Sequence, residues 1–203
     1  GWKKFKIDRQ YIKVKNSPDI EIERKWSRNG PILPQTAFDL SSITPKHHVA
    51  ALSWTALTDS DTTVSAAIDL MLSPNVQNGL DALESFYAPS LNFLLVDSEK
   101  MVIKTVGKMP KRSPLNETQG RMPTVGWKPE NNWRGYWGYE VNPIIKSSPG
   151  DVLANTNNKI SDENFPKHVS HFWGDTQRIL RLQKLMQSRE VHTRESFIEA
   201  QLD

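Results

Sequence analysis

Three asparagine side chains follow a short predicted strand in the last third of the chain. The strand is residues 151–154, and Asn155, Asn157 and Asn158 come after it. A carboxamide offers two N–H donors without carrying a charge. Adjacent strand residues point to opposite faces, so only one of Asn157 and Asn158 can serve a given site. The pattern predicts a hydrogen-bond donor site at the end of a strand, and a pair of turn-forming amides is the alternative.

An aromatic segment precedes these asparagines and is interleaved with glycines. Its five aromatic residues are Trp127, Trp133, Tyr136, Trp137 and Tyr139. Aromatic rings bury large areas, and glycines let backbone approach closely. The segment therefore predicts either the wall of a ligand pocket or a tight corner of the core.

Histidines raise the question of a metal site. His168 and His171 are three residues apart, and His47 and His48 are adjacent. A zinc site would need a third ligand, and no carboxylate is placed convincingly to supply one. The chain has no cysteine, which excludes disulfides, thiolate metal ligands and a cysteine nucleophile. We predict no metal and no cofactor.

Composition is that of an ordinary globular protein. The 203 residues are 37% hydrophobic and 24% charged, and the formal net charge is +3. The basic residues are scattered among acids and form no stripe with interleaved aromatics, so we expect no nucleic-acid partner. No apolar run approaches the length of a membrane span, so we expect no membrane partner.

The periodicity of the apolar residues predicts an α+β protein with mostly antiparallel pairing. Alternation and turn residues predict strands at residues 11–16, 20–26, 91–96 and 101–106, arranged as two hairpins, with turn residues 97–100 in the second. Apolar runs predict further strands at residues 49–57 and 151–154, the latter in an antiparallel sheet. Helices are predicted at residues 62–72, 76–86, 165–187 and 195–202, the last capped by Thr193.

Burial is predicted from the same pattern. The helix at residues 62–72 is expected to bury Val64, Ala67, Ile68 and Met71. Residues 111–135 lack periodicity and are expected to form an exposed excursion between a strand and helix region, 10–110, and a strand with C-terminal helices, 136–203.

Short motifs in a fixed order make the chain similar to one family. It resembles the β-chain region of penicillin acylases, which include acyl-homoserine-lactone and cephalosporin acylases among the N-terminal nucleophile hydrolases. The likeness runs from about residue 10 to the end. The matching residues are Asn29-Gly30-Pro31-Ile32, Asn92, Asp97, Gly107, Pro110, Arg112, Trp133-Arg134-Gly135-Tyr136, Asn142-Pro143, Pro149-Gly150, Asn157-Asn158, Phe165-Pro166, and Trp173 through Arg178 to Arg181.

The resemblance implies a fold and an activity. The fold would be part of the four-layer αββα arrangement of N-terminal nucleophile hydrolases. The activity would be hydrolysis of a carbon–nitrogen bond in a linear amide, through an acyl-enzyme formed on an N-terminal serine. It also implies a periplasmic or secreted protein and an antibiotic-biosynthetic setting. A non-catalytic scaffold or ligand-binding module that has kept the acylase frame is the alternative function.

Site residues are carried over from the resemblance position by position. Asn157 falls on the family's oxyanion-hole asparagine, and Arg178 on an arginine that orients this asparagine or a carboxylate. A solvated helix charge is the alternative for Arg178. Trp127, Trp133 and Trp137 would shape the acyl pocket, with core packing as the alternative, and Trp133 and Trp137 are the two assigned to substrate binding. Calcium is not carried over, because residues 167–169 offer no acid where some members have one.

The chain also departs from the family pattern. Asn29 stands where the family commonly has His, and Lys100 stands where it usually has Gly. The family's catalytic serine is the first residue of the β chain and uses its own amino group as base, whereas this chain starts with Gly1. We therefore expect a piece of a longer acylase precursor that is inactive alone. Its partners would be the α chain, the rest of the β chain and a small acyl amide. Apolar faces are expected to be exposed, or covered by self-association with a second copy.

Overall fold

The computed structural model describes residues 3–148, 150–160, 170–174 and 176–202, and within these ranges six strands form two three-stranded antiparallel sheets. The strands are β1 Lys6–Ile12, β2 Ile20–Ser27, β3 Gly30–Pro31, β4 Leu91–Val96, β5 Met101–Val106 and β6 Ile144–Lys146. The helices are α1 Leu40–Ile43, α2 Thr63–Met71, α3 Val76–Ala82, α4 Gln177–Gln187 and α5 Arg194–Gln201. Helices and antiparallel sheet together confirm the α+β class.

The second sheet, β4–β5–β6, carries the site described below. Its hairpin has the predicted bounds, because Asp97 closes the turn by accepting hydrogen bonds from the backbone N–H of Glu99 and Lys100, both at 2.8 Å. The other carboxylate oxygen of Asp97 accepts from the N–H of Val76 at 2.9 Å, at the start of α3. These bonds hold the pKa of Asp97 below its usual range. One carboxylate thus joins the hairpin to a helix.

Helices cover one face of this sheet and form the core with it. Ala66 from α2, Val106 from β5, and Leu83 and Phe86 from the segment after α3 are buried together. Phe86 meets Phe93 of β4 edge-on, with ring centroids 5.6 Å apart. The helix predicted at residues 76–86 contributes Leu83 and Phe86 to this core, and its Val76 is also buried.

The apolar face predicted for α2 is wrong, although the helix itself is confirmed. Val64 and Met71 are 74% and 84% exposed, and Ile68 is also exposed, whereas Ala66 is fully buried. Apolar residues surround most of this helix, so periodicity alone fits two faces equally well. Tertiary packing chooses the face that carries Ala66 and Leu70. The outer apolar stripe agrees with the expectation of exposed apolar faces.

The first sheet is the predicted N-terminal hairpin with a third short strand. β1 is displaced from its predicted range of residues 11–16, because it begins at Lys6 and ends at Ile12. It pairs with β2 from Lys6 opposite Trp26 to Ile12 opposite Ile20. β3 then pairs with the end of β2, with Gly30 opposite Ser27.

Gly30 allows a close approach that no other residue would permit. Its φ is +115°, and a Cβ at this position would lie 1.9 Å from the carbonyl oxygen of Leu52. The neighbouring Pro31 carbonyl accepts from the N–H of Leu52 at 2.9 Å. The glycine therefore fixes how the chain around Leu52 meets the first sheet.

We predict that Gly30→Ala lowers the free energy of unfolding by roughly 2–4 kcal/mol, because a left-handed φ and a backbone clash act together. Urea denaturation of the chain measures the change. Gly174→Ala is the matched control: a Cβ at Gly174 meets no atom within 4 Å, and its φ is not left-handed. Equal stability of the two variants would contradict the close-approach argument.

Two predicted strands are wrong. Residues 49–57 contribute only an isolated bridge between Ala51 and Ile32, and Trp54 is 52% exposed. Residues 151–154 have no ladder partner among the described residues. The third strand of the sheet is instead Ile144–Lys146, which pairs with Val102–Lys104 of β5. An apolar run becomes a strand only where a neighbouring strand is free to pair, and that condition is not local in sequence.

The long helix predicted for residues 165–187 is wrong at its beginning. Residues 165–169, with the Phe165-Pro166 motif and His168, lie outside the described residues. Residues 170–174 are described and are not helical, and α4 begins at Gln177. Ser170 bonds locally to the backbone of Phe172, a pattern that competes with helix formation. The last helix is confirmed: Thr193 caps α5 in a capping box with Ser196.

The segment 111–135 is not uniformly exposed. Ser113 and Asn116 are buried, and the side-chain oxygen of Asn116 accepts hydrogen bonds from the backbone N–H groups of Thr118 and Gln119, which fold the loop on itself.

None of the helices in the described part of the chain is long and apolar enough to cross a membrane.

A buried lysine and a partly buried tyrosine lie between the second sheet and the segment that leads into β6. Lys104 donates to the carbonyl oxygens of Tyr139 at 3.1 Å and Asn142 at 2.8 Å, and burial lowers its pKa. The hydroxyl of Tyr139 is buried and has no hydrogen-bond partner among the described residues. Burial, followed by the charges of Glu84 and Asp81, raises the pKa of Tyr139 to about 12.

We predict that Tyr139→Phe raises the free energy of unfolding by about 1 kcal/mol at pH 8, because it removes an unsatisfied buried hydroxyl. The folded pKa lies above the unfolded value of about 10, so the neutral tyrosine's contribution is complete below pH 10 and is lost as pH rises towards 12. The advantage of the variant should therefore grow above pH 10 in urea denaturation. Tyr11→Phe, at an exposed tyrosine, is the control. An advantage that stays constant with pH would contradict this account.

Candidate active site

A tight turn at residues 155–158 forms the centre of the candidate site. Asn158 Oδ1 accepts from the N–H of Thr156 at 2.9 Å, and Asn155 Nδ2 donates to the carbonyl of Asn158 at 3.2 Å. Asn157 has a φ of +70°, in the left-handed region that asparagine tolerates better than most residues. The turn therefore displays Asn157 at its tip, where the residue is exposed.

Arg178 reaches back to this turn from the first turn of α4. Its Nη2 donates to Asn157 Oδ1 at 3.0 Å and to the carbonyl oxygen of Thr156 at 2.5 Å. The predicted contact between Arg178 and Asn157 is confirmed. A cation near a helix N-terminus is unfavourable by about 0.3–1 kcal/mol. The contact with the turn therefore accounts for the arginine better than helix stability does.

The guanidinium decides which end of the Asn157 carboxamide points outward. A guanidinium has only donors, so it can hold only the oxygen of the amide. Asn157 Nδ2 then donates to no acceptor among the described residues. The site presents an uncharged N–H donor whose orientation is fixed from behind, the property expected of a group that stabilises an oxyanion.

Asn158 does not offer its amide in the same way. Its Oδ1 is bonded within the turn, and its Nδ2 donates to the carbonyl of Lys159 at 3.2 Å. Of the two adjacent asparagines, Asn157 is thus the one whose Nδ2 donates to no acceptor within the described residues.

Sequence reasoning missed the roles of three residues that hold this turn: Asn155 within it, and Asn92 and Thr105 in the second sheet. Asn155 Oδ1 accepts from the N–H of Asn157 at 3.2 Å and from Asn92 Nδ2 at 3.4 Å. Asn92 Oδ1 in turn accepts from Thr105 Oγ1 at 2.7 Å. Asn92 was noted only as a family motif, and the roles of Asn155 and Thr105 were not predicted. The turn at residues 97–100 fixes the hairpin register that places Thr105 opposite Asn92, and this signal was available in the sequence.

The two tryptophans predicted to bind substrate lie beside cations. Lys111 Nζ is 4.7 Å from the centroid of the Trp137 ring, and the Arg112 guanidinium is 5.9 Å from that of Trp133. Trp133 also meets Tyr136 edge-on at 6.3 Å. A substrate role for Trp133 and Trp137 stays a prediction.

The described residues contain no group of three or more His, Asp or Glu side chains that could hold a metal ion. His47 and His48 are exposed, and His168 is outside the described ranges.

A comparison with known protein families shows to which family the chain belongs. The model of the penicillin amidase family matches residues 1–203. The chain belongs to the penicillin amidase family. Its curated relatives are similar to it over only part of their own length: the chain spans 24% of the first of them and as little as 15% of others.

Two relatives illustrate the range of names in this penicillin amidase family. Acyl-homoserine lactone acylase QuiP from Pseudomonas fluorescens is 26% identical over 202 residues, which are 100% of this chain and 24% of that protein. Penicillin acylase 2 proenzyme from a Pseudomonas species is 22% identical over 162 residues, which are 79% of this chain and 20% of that protein.

A solved structure confirms the fold. The thermostable penicillin G acylase from Alcaligenes faecalis superposes with a TM-score of 0.79 at 17% identity, covering 97% of this chain and 34% of that one. The chain of this penicillin amidase family member thus has part of the N-terminal nucleophile hydrolase fold. The catalytic assignments to Asn157 and Arg178 stay predictions.

Proposed function

We propose that this chain supplies part of the oxyanion hole of an amidohydrolase that cleaves the carbon–nitrogen bond of a linear amide. One observation carries the proposal: Arg178 holds Asn157 Oδ1 at 3.0 Å and leaves Asn157 Nδ2 without an acceptor among the described residues. The family relationship supplies the reaction class, since its named relatives are acylases.

The proposed reaction proceeds in two halves. A hydroxyl attacks the amide carbonyl, and the carbonyl oxygen becomes an oxyanion that accepts a hydrogen bond from Asn157 Nδ2. The tetrahedral intermediate collapses, the carbon–nitrogen bond breaks and the protonated amine leaves. Water then attacks the acyl-enzyme and releases the carboxylic acid. The nucleophile of this proposal is an N-terminal serine supplied by another part of the polypeptide.

Arg178 acts behind the donor in this proposal. It holds the carboxamide oxygen, so the N–H groups face the reacting carbonyl before the charge develops. A donor that is already oriented needs no reorganisation during the reaction, which is why such groups contribute much of the rate.

Partners and location are part of the same proposal. The outer stripe of α2, with Val64, Ile68 and Met71 exposed, would be covered by the rest of the acylase precursor. Self-association of the chain through this stripe is the alternative. The substrate would be a small acyl amide in a periplasmic or secreted setting, with Trp133 and Trp137 near its acyl group.

The test uses the complete product of the gene that encodes this chain. It is incubated with a phenylacetyl amide and with a long-chain acyl amide, and release of the free amine is measured. Mass spectrometry of the purified protein measures self-cleavage. We expect self-cleavage and amine release from at least one of the two substrates. A protein that neither self-cleaves nor releases amine would favour the non-catalytic scaffold or ligand-binding module.

A further inference from the structure

A polar pair lies opposite the turn, on neighbouring strands of the second sheet. Thr105 of β5 pairs directly with Asn92 of β4, and its Oγ1 donates to Asn92 Oδ1 at 2.7 Å. Thr105 is only 2% exposed, and its N–H donates to the carbonyl of Pro143 at 2.9 Å. The hydroxyl is therefore held in the sheet, and it turns the nitrogen of the Asn92 amide away from itself.

Asn155 connects this pair to the turn. Its Oδ1 accepts from Asn92 Nδ2 at 3.4 Å and from the backbone N–H of Asn157 at 3.2 Å, so one oxygen receives two donors. Its Nδ2 donates to the carbonyl of Asn158 at 3.2 Å. Reversing the Asn155 amide would put N–H groups against both donors, so a single orientation satisfies the connections.

The bonds from the sheet and from the turn meet at the side-chain oxygen of Asn155. The hydroxyl of Thr105 donates to Asn92, and Asn92 donates to Asn155, which also receives the N–H of Asn157. Arg178 holds the side chain of Asn157 from the other side. The backbone and the carboxamide of Asn157 are thus fixed by two independent sets of contacts.

We propose that Thr105, Asn92 and Asn155 are positioning residues of the active site, which hold the backbone of Asn157 so that its free Nδ2 stays aligned with the developing oxyanion. This inference rests on the proposed function. It adds residues that touch neither substrate nor nucleophile and that act through Asn157.

A positioning role has a distinct kinetic consequence. A displacement of about 1 Å in a catalytic group can lower the rate by about 100-fold while the ground-state complex is little affected. Loss of the Thr105 hydroxyl removes the first of three connections and leaves Arg178 in place. We therefore expect Thr105→Val to lower kcat by about 10-fold and to leave KM within about 2-fold.

The experiment compares three variants in the complete gene product. Thr105→Val removes the hydroxyl with little change of shape, and Thr105→Ser restores it. Thr62→Val is the matched control, because Thr62 Oγ1 also donates one hydrogen bond, to the carbonyl of Ser85 at 2.6 Å, outside the connected set. kcat and KM are measured for amine release, and hydrogen exchange is measured for the peptide covering residues 153–160.

The proposal is supported if Thr105→Val alone lowers kcat without raising KM, speeds exchange in residues 153–160, and Thr105→Ser recovers most of kcat. It is overturned if kcat of Thr105→Val equals that of the parent protein, or if Thr62→Val loses as much. If the parent protein has no activity, the proposed function fails. Hydrogen exchange in residues 153–160 then tests separately whether Thr105 holds the backbone of Asn157. Faster exchange in Thr105→Val alone would then support the connection to Asn157, and unchanged exchange would overturn it.

Discussion

Replacement of Asn157 by glycine is expected to lower kcat for amide hydrolysis by about 100- to 1,000-fold, the loss typical of removing one oxyanion donor. Glycine is the informative replacement, because Asn157 has a φ of +70° and glycine adopts this conformation without strain. Alanine would add backbone strain, so the effect of strain on kcat could not be separated from the effect of losing the donor. The measurement is kcat and KM for amine release by the complete gene product, and KM is expected to change little.

Asn16→Gly is the matched control for this prediction. Asn16 also has a positive φ, of +59°, and it lies in the turn between β1 and β2, so the chemical and conformational changes are the same. Its kcat is expected to stay within about 2-fold of the parent value. If Asn157→Gly and Asn16→Gly retain equal activity, Asn157 is not an oxyanion donor. The proposed mechanism would then have no oxyanion donor from this chain.

The parts of the fold that the sequence predicts well depend on contacts between near neighbours. The β4–β5 hairpin follows from alternation and from Asp97, whose carboxylate satisfies the turn's own N–H groups. α3 begins after Asn75 because its side chain accepts from the N–H of Asn78, three residues ahead. α5 begins after Thr193 for the same reason. In each case the residues that decide the structure are at most three positions apart in sequence.

The failures depend on partners distant in sequence. Residues 151–154 are as apolar as many strands, yet β5 pairs with Ile144–Lys146 instead. α2 could bury either of two apolar faces, and the choice depends on the strands that it covers. Residues 49–57 approach the first sheet through the contact between Gly30 and Leu52, which leaves room for little pairing. Periodicity carries no information on these choices.

The contacts of the site divide in the same way, into those between near neighbours in sequence and those between distant residues. Asn157 and Arg178 are 21 residues apart, and their contact was expected only from the resemblance to penicillin acylases. The connections from Thr105 through Asn92 to Asn155 span 63 residues at their longest step, from Asn92 to Asn155. Register predicts the first step within the hairpin, but only the folded chain brings the turn to the sheet.

Arg178→Leu is expected to lower kcat by about 100-fold. The guanidinium is the group that selects the oxygen of the Asn157 carboxamide, and without it the amide can rotate and present Oδ1 to the oxyanion. Arg178→Lys keeps a donor and a charge but loses the planar guanidinium, so about a 10-fold loss is expected. kcat, KM and urea denaturation are measured on the same protein preparations.

Loss of activity in these variants should not come from unfolding. Arg178 is a cation in the first turn of α4, where the helix dipole disfavours positive charge, so its removal costs the helix little. Arg189→Leu is the matched control: it breaks an exposed ion pair with Glu199, at 2.7 Å, close to the other end of α4. Such surface pairs contribute about 0–1 kcal/mol, and kcat should stay within about 2-fold. If Arg178→Leu keeps full kcat, the orientation of the Asn157 amide does not depend on the guanidinium, and its contact with Asn157 is only structural.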